Sequence, residues 1–282
     1  MFCALLVTLC TGQMGALDAA ELKSSSPQRI VSINLCTDEL LLQLVGPERV
    51  AALTKFSADP EVSTVASQAK NIKQIKGGIE DVQACGPDLL VGGRFSHKET
   101  LRFFEHSGTP VLTFRLPKNF EDIYADIRKL AGAVGETEKG EAIIGGMQAD
   151  LAAFKKDSPP FVKRGILKKA FFFQSGGVVP GSGTFENAIM EAAGLENLAA
   201  TMGIRDYGSL SLEKLIEMKP DVLIFSSDQK QKPTVRGEVL NHPAIRKALP
   251  QVKNVILPST ILICGSPASI EAVRILVKET NP

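Results

Sequence analysis

The 282-residue sequence has no Trp, two Tyr, three His and five Cys, and its 32 Lys+Arg against 31 Asp+Glu leave a net charge of +1. Each scarcity excludes something. Three His cannot build a His-rich metal site. A balanced charge removes the Lys/Arg excess that neutralises phosphates, so nucleic acid is not an expected partner. So few cysteines in so long a chain do not make a disulfide framework; the core must supply the stability. No apolar stretch after residue 20 approaches the roughly 20 residues of a membrane-spanning helix. What is present is ordinary for a globular protein: 44% hydrophobic and 22% charged residues rule out wholesale disorder. The length suits two domains, or two lobes of one, with a sizeable core.

Phe2 to Leu9 is a short apolar run, followed by a softer stretch to Asp18-Ala19-Ala20. The pattern resembles the apolar region of a secretory signal with its small residues, although the usual positively charged start is missing. Residues 1–20 are therefore expected to be a cleaved signal peptide, the alternative being a buried N-terminal helix. Cys10 follows Leu9, which is too large for the residue preceding a lipoprotein cysteine. Cleavage leaves Cys36, Cys85 and Cys264, an odd number, so at least one thiol stays free or pairs outside the chain.

From Gln28 onward apolar runs, polar turns and amphipathic stretches alternate. Arg29–Leu35, Val50–Thr54, Asp88–Gly92 and Pro110–Phe114 read as strands. Glu39–Val45, behind a capping candidate at Thr37-Asp38, and Lys98–Ser107 read as helices. Such alternation argues for an α/β lobe with a parallel sheet over about residues 28–125. Over 136–156 the apolar positions Ile144, Met147, Leu151 and Phe154 form one helical stripe. These 21 residues would span about 31 Å as a helix. Pro159-Pro160 closes the segment. A second α/β lobe is expected over 165–282: Ala170–Gln174, Asp221–Phe225 and Asn254–Leu257 as strands, Glu186–Ala193 and Ile270–Val277 as helices, and Tyr207 in a loop.

The two halves repeat one unit. Glu80, Pro87 and Asp88 recur as Glu213, Pro220 and Asp221, each at the same offset of 133 positions and each leading into a strand. With Arg29-Ile30-Val31-Ser32 and Thr184-Phe185-Glu186-Asn187…Ala192-Ala193-Gly194-Leu195-Glu196-Asn197, these units make the chain from about residue 28 to its end resemble the solute-binding proteins of ABC importers for ferric siderophores, cobalamin and heme. The resemblance implies two Rossmann-like lobes joined by one long helix, here 136–156, with the ligand in the cleft between them. It implies a monomeric periplasmic receptor with no cofactor of its own, which hands a metal chelate to a membrane permease driven by a cytoplasmic ATPase. It also implies that Glu80 and Glu213 dock on the permease. The alternative for each Glu is a first-turn residue favoured by the helix dipole.

Ligands of open α/β sheets lie beyond the carboxyl ends of the strands. Asn34, Cys36, Phe56, Arg94, Phe95 and Arg115 occupy such ends in the first lobe, and Arg205 and Tyr207 are expected to reach the cleft from the second. The three Arg offer planar donor forks for carboxylate, catecholate or phosphate oxygens; Phe56, Phe95 and Tyr207 offer flat walls. Cys36 and Cys264 both fall at expected strand ends, where a bridge across the cleft, a soft ligand site and plain filler compete. Filler is preferred, because a bridge would restrict opening. Cys85 is expected buried on a helix. His97, His106 and His242 are expected to cap or face solvent. A heme receptor ranks below ferric siderophore and cobalamin, because Tyr207 is the one cleft candidate for the Tyr ligand such receptors often use. An α/β enzyme with Cys36 as nucleophile ranks lower, because no His falls at an expected strand end. Gly176 to Thr184 resembles a phosphate loop but lacks its Lys.

Overall fold

A computed structural model describes residues 26–174, 177–227 and 242–280, with 160 and 161 described in their backbone alone. The expected signal segment and the strand-end residues Ser175 and Gly176 lie outside the described residues.

The strands are β1 (Ile30–Ser32), β2 (Val50–Thr54), β3 (Gln74–Ile75), β4 (Leu89–Gly93) and β5 (Val111–Phe114) in the first half, and β6 (Lys168–Phe173), β7 (Val178–Pro180), β8 (Leu195–Asn197), β9 (Tyr207–Ser209), β10 (Val222–Ser226) and β11 (Lys253–Leu257) in the second. The helices are α1 (Leu35–Leu44), α2 (Ala66–Ala69), α3 (Ile79–Gln83), α4 (Lys98–His106), α5 (Phe120–Val134), α6 (Thr137–Lys156), α7 (Pro160–Lys163), α8 (Phe185–Ala192), α9 (Leu198–Thr201), α10 (Leu212–Met218), α11 (Pro243–Ala248) and α12 (Ile270–Thr280). One sheet runs β3-β2-β1-β4-β5 and the other β11-β10-β6-β8, both entirely parallel. A small antiparallel ribbon, β7-β9, completes the second lobe.

The repeated Pro-Asp has a physical job in both lobes. Asp88 accepts the backbone N–H groups of Gln28 (2.6 Å) and Arg29 (2.9 Å), and its own N–H bonds to Arg29 O. Asp221 accepts the N–H of Lys169 (2.8 Å) and donates its N–H to Lys169 O. Each carboxylate thus staples the entry of the central strand, β1 or β6, to its neighbour, β4 or β10, and sets their register.

Alternation along the strands builds the layers. Ile30, Leu89 and Val91 of the first sheet and Ala170, Phe172, Val222 and Ile224 of the second belong to one continuous core. Helices α1, α5, α6, α8 and α12 fill that core between the sheets. The opposite faces carry separate clusters: Val31, Ala52 and Leu90 in the first lobe, and Phe171, Phe173 and Phe225 in the second. The lobes therefore share a helical middle layer.

The expected connector is one arm of a helical hairpin. α6, with Ile144, Met147 and Phe154 buried, turns back on α5, a helix not anticipated above. Its apolar positions Phe120, Ile123, Tyr124, Ile127, Leu130 and Val134 were legible as a stripe. Asn119 caps its start by accepting the N–H of Asp122 (2.8 Å). Gly135, at φ 77°, ends it in the left-handed conformation that favours glycine. Gly140 lets the arms close, since a Cβ there would lie 2.6 Å from the Cβ of Ala131.

Candidate functional site: a cleft between the lobes

α1 begins directly after β1, with Asn34 as its cap: Oδ1 accepts the N–H of Cys36 at 3.0 Å. The start lies four residues earlier than Glu39, because a side-chain acceptor at Asn34 satisfies the first turn. Gly93, at the end of β4, sits so close that a Cβ would stand 2.9 Å from the Asn34 Cγ. Two adjacent strand ends thus present one surface. A cavity of about 560 Å³ opens over it.

Asn34, Cys36, Phe56, Arg94, Phe95 and Arg115 all line this cavity. Phe56 and Phe95 are 51% and 76% exposed, so two aromatic rings stand partly open in the wall, Phe56 with the Lys55 ammonium 5.3 Å from its ring centre. Lys55, Lys76, Arg94 and Arg115 surround the space against one lining carboxylate, Asp126. Burial pushes Asp126 up to about 6, against the pull of Lys129. The wall is therefore cationic and suits an anionic or acceptor-rich ligand. All of these side chains come from the first half of the chain. The second lobe contributes Ile263, Gly265, Ser266 and Pro267.

Arg205 and Tyr207 do not line the cavity. Tyr207 lies on β9, not in a loop, opposite Pro180 of β7. Its hydroxyl donates to Glu186 at 3.3 Å, and burial together with that carboxylate pushes it up to about 12. Its partner is thus Glu186 of its own lobe and not a group in the cavity wall. Arg205 is exposed and bridges by its backbone to Ser182. The neighbouring Asp206 pairs across the lobes with Lys118 at 3.3 Å, both side chains solvated.

Further placements add to the sequence reading or depart from it. His97 is exposed at the N-cap position of α4, as expected, without a side-chain cap, and in addition it lines the cavity with its ring against Gly77. Asp126 escaped notice because α5 did. Cys36 and Cys264 are joined by a disulfide, with Cα atoms 5.2 Å apart and a sequence separation of 228. The expectation of filler is corrected: the shared core holds the lobes close enough for a bond. That bond also occupies Cys36, removing the thiol the enzyme alternative needed. Cys85 is buried just beyond α3, its thiol donating to Asp81 O at 3.2 Å.

Glu80 and Glu213 are exposed in the first turns of α3 and α10. Each helix leads back into a parallel strand, β4 or β10, so its N-terminus lies at the carboxyl edge of its sheet, the edge that carries the cleft. Hydrogen bonds from its own N–H and from Ser211 hold the Glu213 carboxyl below the usual range.

Beneath the cavity α1 buries two acids completely. Asp38 Oδ2 accepts the N–H (3.1 Å) and hydroxyl (2.6 Å) of Thr54, while Oδ1 has no partner; burial pushes the group up to about 7. Glu39 accepts the N–H of Thr64 at 2.8 Å and is also raised by burial.

Two parallel-sheet lobes on a shared helical layer, with a cavity at the carboxyl ends of their strands, form a two-lobed ligand receptor. The model of the periplasmic binding protein family matches residues 30–255, and the chain belongs to that family. A cobalamin-binding protein of Halobacterium salinarum is 21% identical over 201 residues, covering 71% of this chain and 54% of that protein. The chain thus spans about half the length of the curated relatives it matches. The periplasmic heme-binding protein HutB of Vibrio cholerae superposes with a TM-score of 0.76 at 22% identity, covering 91% of this chain and all of that one (100%). The apo form of the periplasmic heme-binding protein RhuT of Roseiflexus sp. RS-1 gives 0.71 at 23% identity, covering 90% and 99%. At such identities the likeness establishes the fold alone. Among the described residues no helix is long and apolar enough to cross a membrane, and no group of three or more His, Cys, Asp or Glu is placed to hold a metal ion.

Proposed function

We propose that the protein is the exported substrate-binding component of an ABC importer. It captures a metal chelate, a ferric siderophore or cobalamin, in the interlobe cleft and delivers it to the permease, whose cytoplasmic ATPase drives uptake. The observation that carries this reading is the cavity wall: four basic side chains and two exposed Phe rings face one space, and among the described residues no group of three or more His, Cys, Asp or Glu is placed to hold a metal ion. The cations answer the oxygen periphery of a chelate, the rings its flat apolar faces. The metal comes with the cargo. The protein performs no chemistry on it and acts as a monomer. A disulfide agrees with an oxidising, extracytoplasmic compartment.

Heme is the second reading, and His97 favours it: the wall offers an imidazole, whereas Tyr207 stands outside it. Calorimetric titration with cyanocobalamin, hemin and a panel of ferric siderophores tests both. Saturable submicromolar binding of one chelate is expected; binding of none sinks the receptor reading. Loss of hemin binding in His97→Ala, with siderophore binding retained, would select heme.

Docking is assigned to Glu80 and Glu213, one on each lobe at the cleft edge. The double variant Glu80→Lys/Glu213→Lys should abolish uptake by cells while leaving chelate affinity unchanged. Undiminished uptake would remove the assignment.

A further inference from the structure

The Cys36–Cys264 disulfide joins two parts that are each held firmly in their own lobe. Cys36 lies in the first turn of α1, behind the Asn34 cap, and α1 is buried over most of its length. Cys264 is 1% exposed, and the Ser269 hydroxyl pins its loop by donating to Ile261 O and Cys264 O, both at 3.0 Å. Beside it the Ser266 N–H donates to the Ser269 hydroxyl at 3.3 Å and the Ser269 N–H to Ser266 O at 2.9 Å. The bond therefore links two rigid bodies, not a rigid body to a mobile loop. Two noncovalent ties flank it. Gly265 lies against Pro117 so closely that a Cβ would overlap the ring, and Lys118 pairs with Asp206 in solvent. An exposed pair of that kind contributes little.

The lobes are thus attached twice: through the shared helical core, and through a covalent bond in the cavity wall. One attachment permits a hinge; a second, displaced from the first, does not. We propose that Cys36 and Cys264 are a positioning pair, which fixes the spacing of the cavity walls so that cargo enters a preformed cleft, and that reduction converts the same protein into a hinged one. Cys36 lines the cavity whereas Cys264 is buried, so an attacking thiolate reaches the Cys36 sulfur. The S–S bond breaks, Cys264 leaves as thiolate and takes up a proton, and a mixed disulfide forms at Cys36. The second thiol of a dithiol reductant then displaces Cys36, which also takes up a proton, and the reductant departs oxidised to its own disulfide. Two electrons and two protons have passed to the protein.

The consequence for cargo rests on the receptor reading, but the test needs no cargo, so its failure leaves that reading intact. Hydrogen exchange of the purified protein is compared in the oxidised form, after dithiothreitol, and in Cys36→Ser/Cys264→Ser. The seam peptides around 34–38, 114–118 and 262–267 should exchange roughly tenfold faster in the latter two, with β1, β4, β6 and β10 unchanged. Dithiothreitol should add nothing in the variant. Unchanged seam rates would overturn the proposal. So would equal acceleration of all strands in both lobes, whether by reduction or by substitution, since the bond would then serve global stability alone.

Discussion

The two lobes share a scaffold and differ in what they place on it. β2-β1-β4-β5 and β8-β6-β10-β11 follow the same spatial logic, an Asp staples each central strand, and a Glu opens the helix before each stapled neighbour. Yet every basic and aromatic side chain in the cavity wall belongs to the first lobe, while the second contributes a short loop that is tied down by Ser269 and bonded to Cys36. The repeated unit thus serves the sheet in the same way in both lobes, whereas the loops at the strand ends differ. The first lobe supplies the charged and aromatic wall; the second closes it.

The largest test of this comparison concerns the shared layer. Phe172 points into the common core and is 1% exposed. Phe172→Ala should cost about 3–5 kcal/mol and lower one cooperative transition in scanning calorimetry. Two separate transitions, with the first lobe unaffected, would break the claim of a common core.

Next comes the division of binding. Arg94→Ala or Arg115→Ala should each weaken chelate binding by about ten- to a hundredfold, the range for a charge-assisted hydrogen bond. Arg205→Ala and Tyr207→Phe should leave the isotherm unchanged. Equal losses from both lobes would show that the second lobe also grips.

Asp38 gives a pH signature seated in the first lobe. Its folded value near 7 exceeds the ordinary 3.8, so the native state binds the extra proton between about 4 and 7. Stability consequently falls as pH rises through that window, by up to about 1.4 kcal/mol per pH unit. Glu39 acts in the same direction. Asp38→Asn keeps an acceptor for Thr54 and should flatten the slope in urea melts at pH 5 and pH 7.

The smallest effect compares the staples. Asp88 takes two N–H groups and Asp221 one. Asp88→Ala should cost about 1–2 kcal/mol and Asp221→Ala about 1 kcal/mol. A reversed order in denaturant melts would count against the register role.

Local patterns were readable where local forces decide. β2 runs over Val50–Thr54 as its apolar composition and flanking turns indicate, and α4 and α8 lie within a residue of their expected limits at either end. The start of α1 was misplaced because the cap came from Asn34 rather than from the Thr37-Asp38 pair. α5 was overlooked although its stripe was present, and with it went Asp126.

By itself, then, the sequence determined the alternation of strands and helices, the parallel sheets, the duplicated Pro-Asp units and the strand ends that carry Asn34, Phe56, Arg94, Phe95 and Arg115 to the cleft. Those follow from period, capping and register, which act over a few residues. Tertiary structure alone decided that Cys36 meets Cys264 across 228 positions, that His97 turns into the wall, and that Tyr207 is retained by Glu186 outside it. Such outcomes depend on how far apart the packed layers come to rest, a distance set by the whole core.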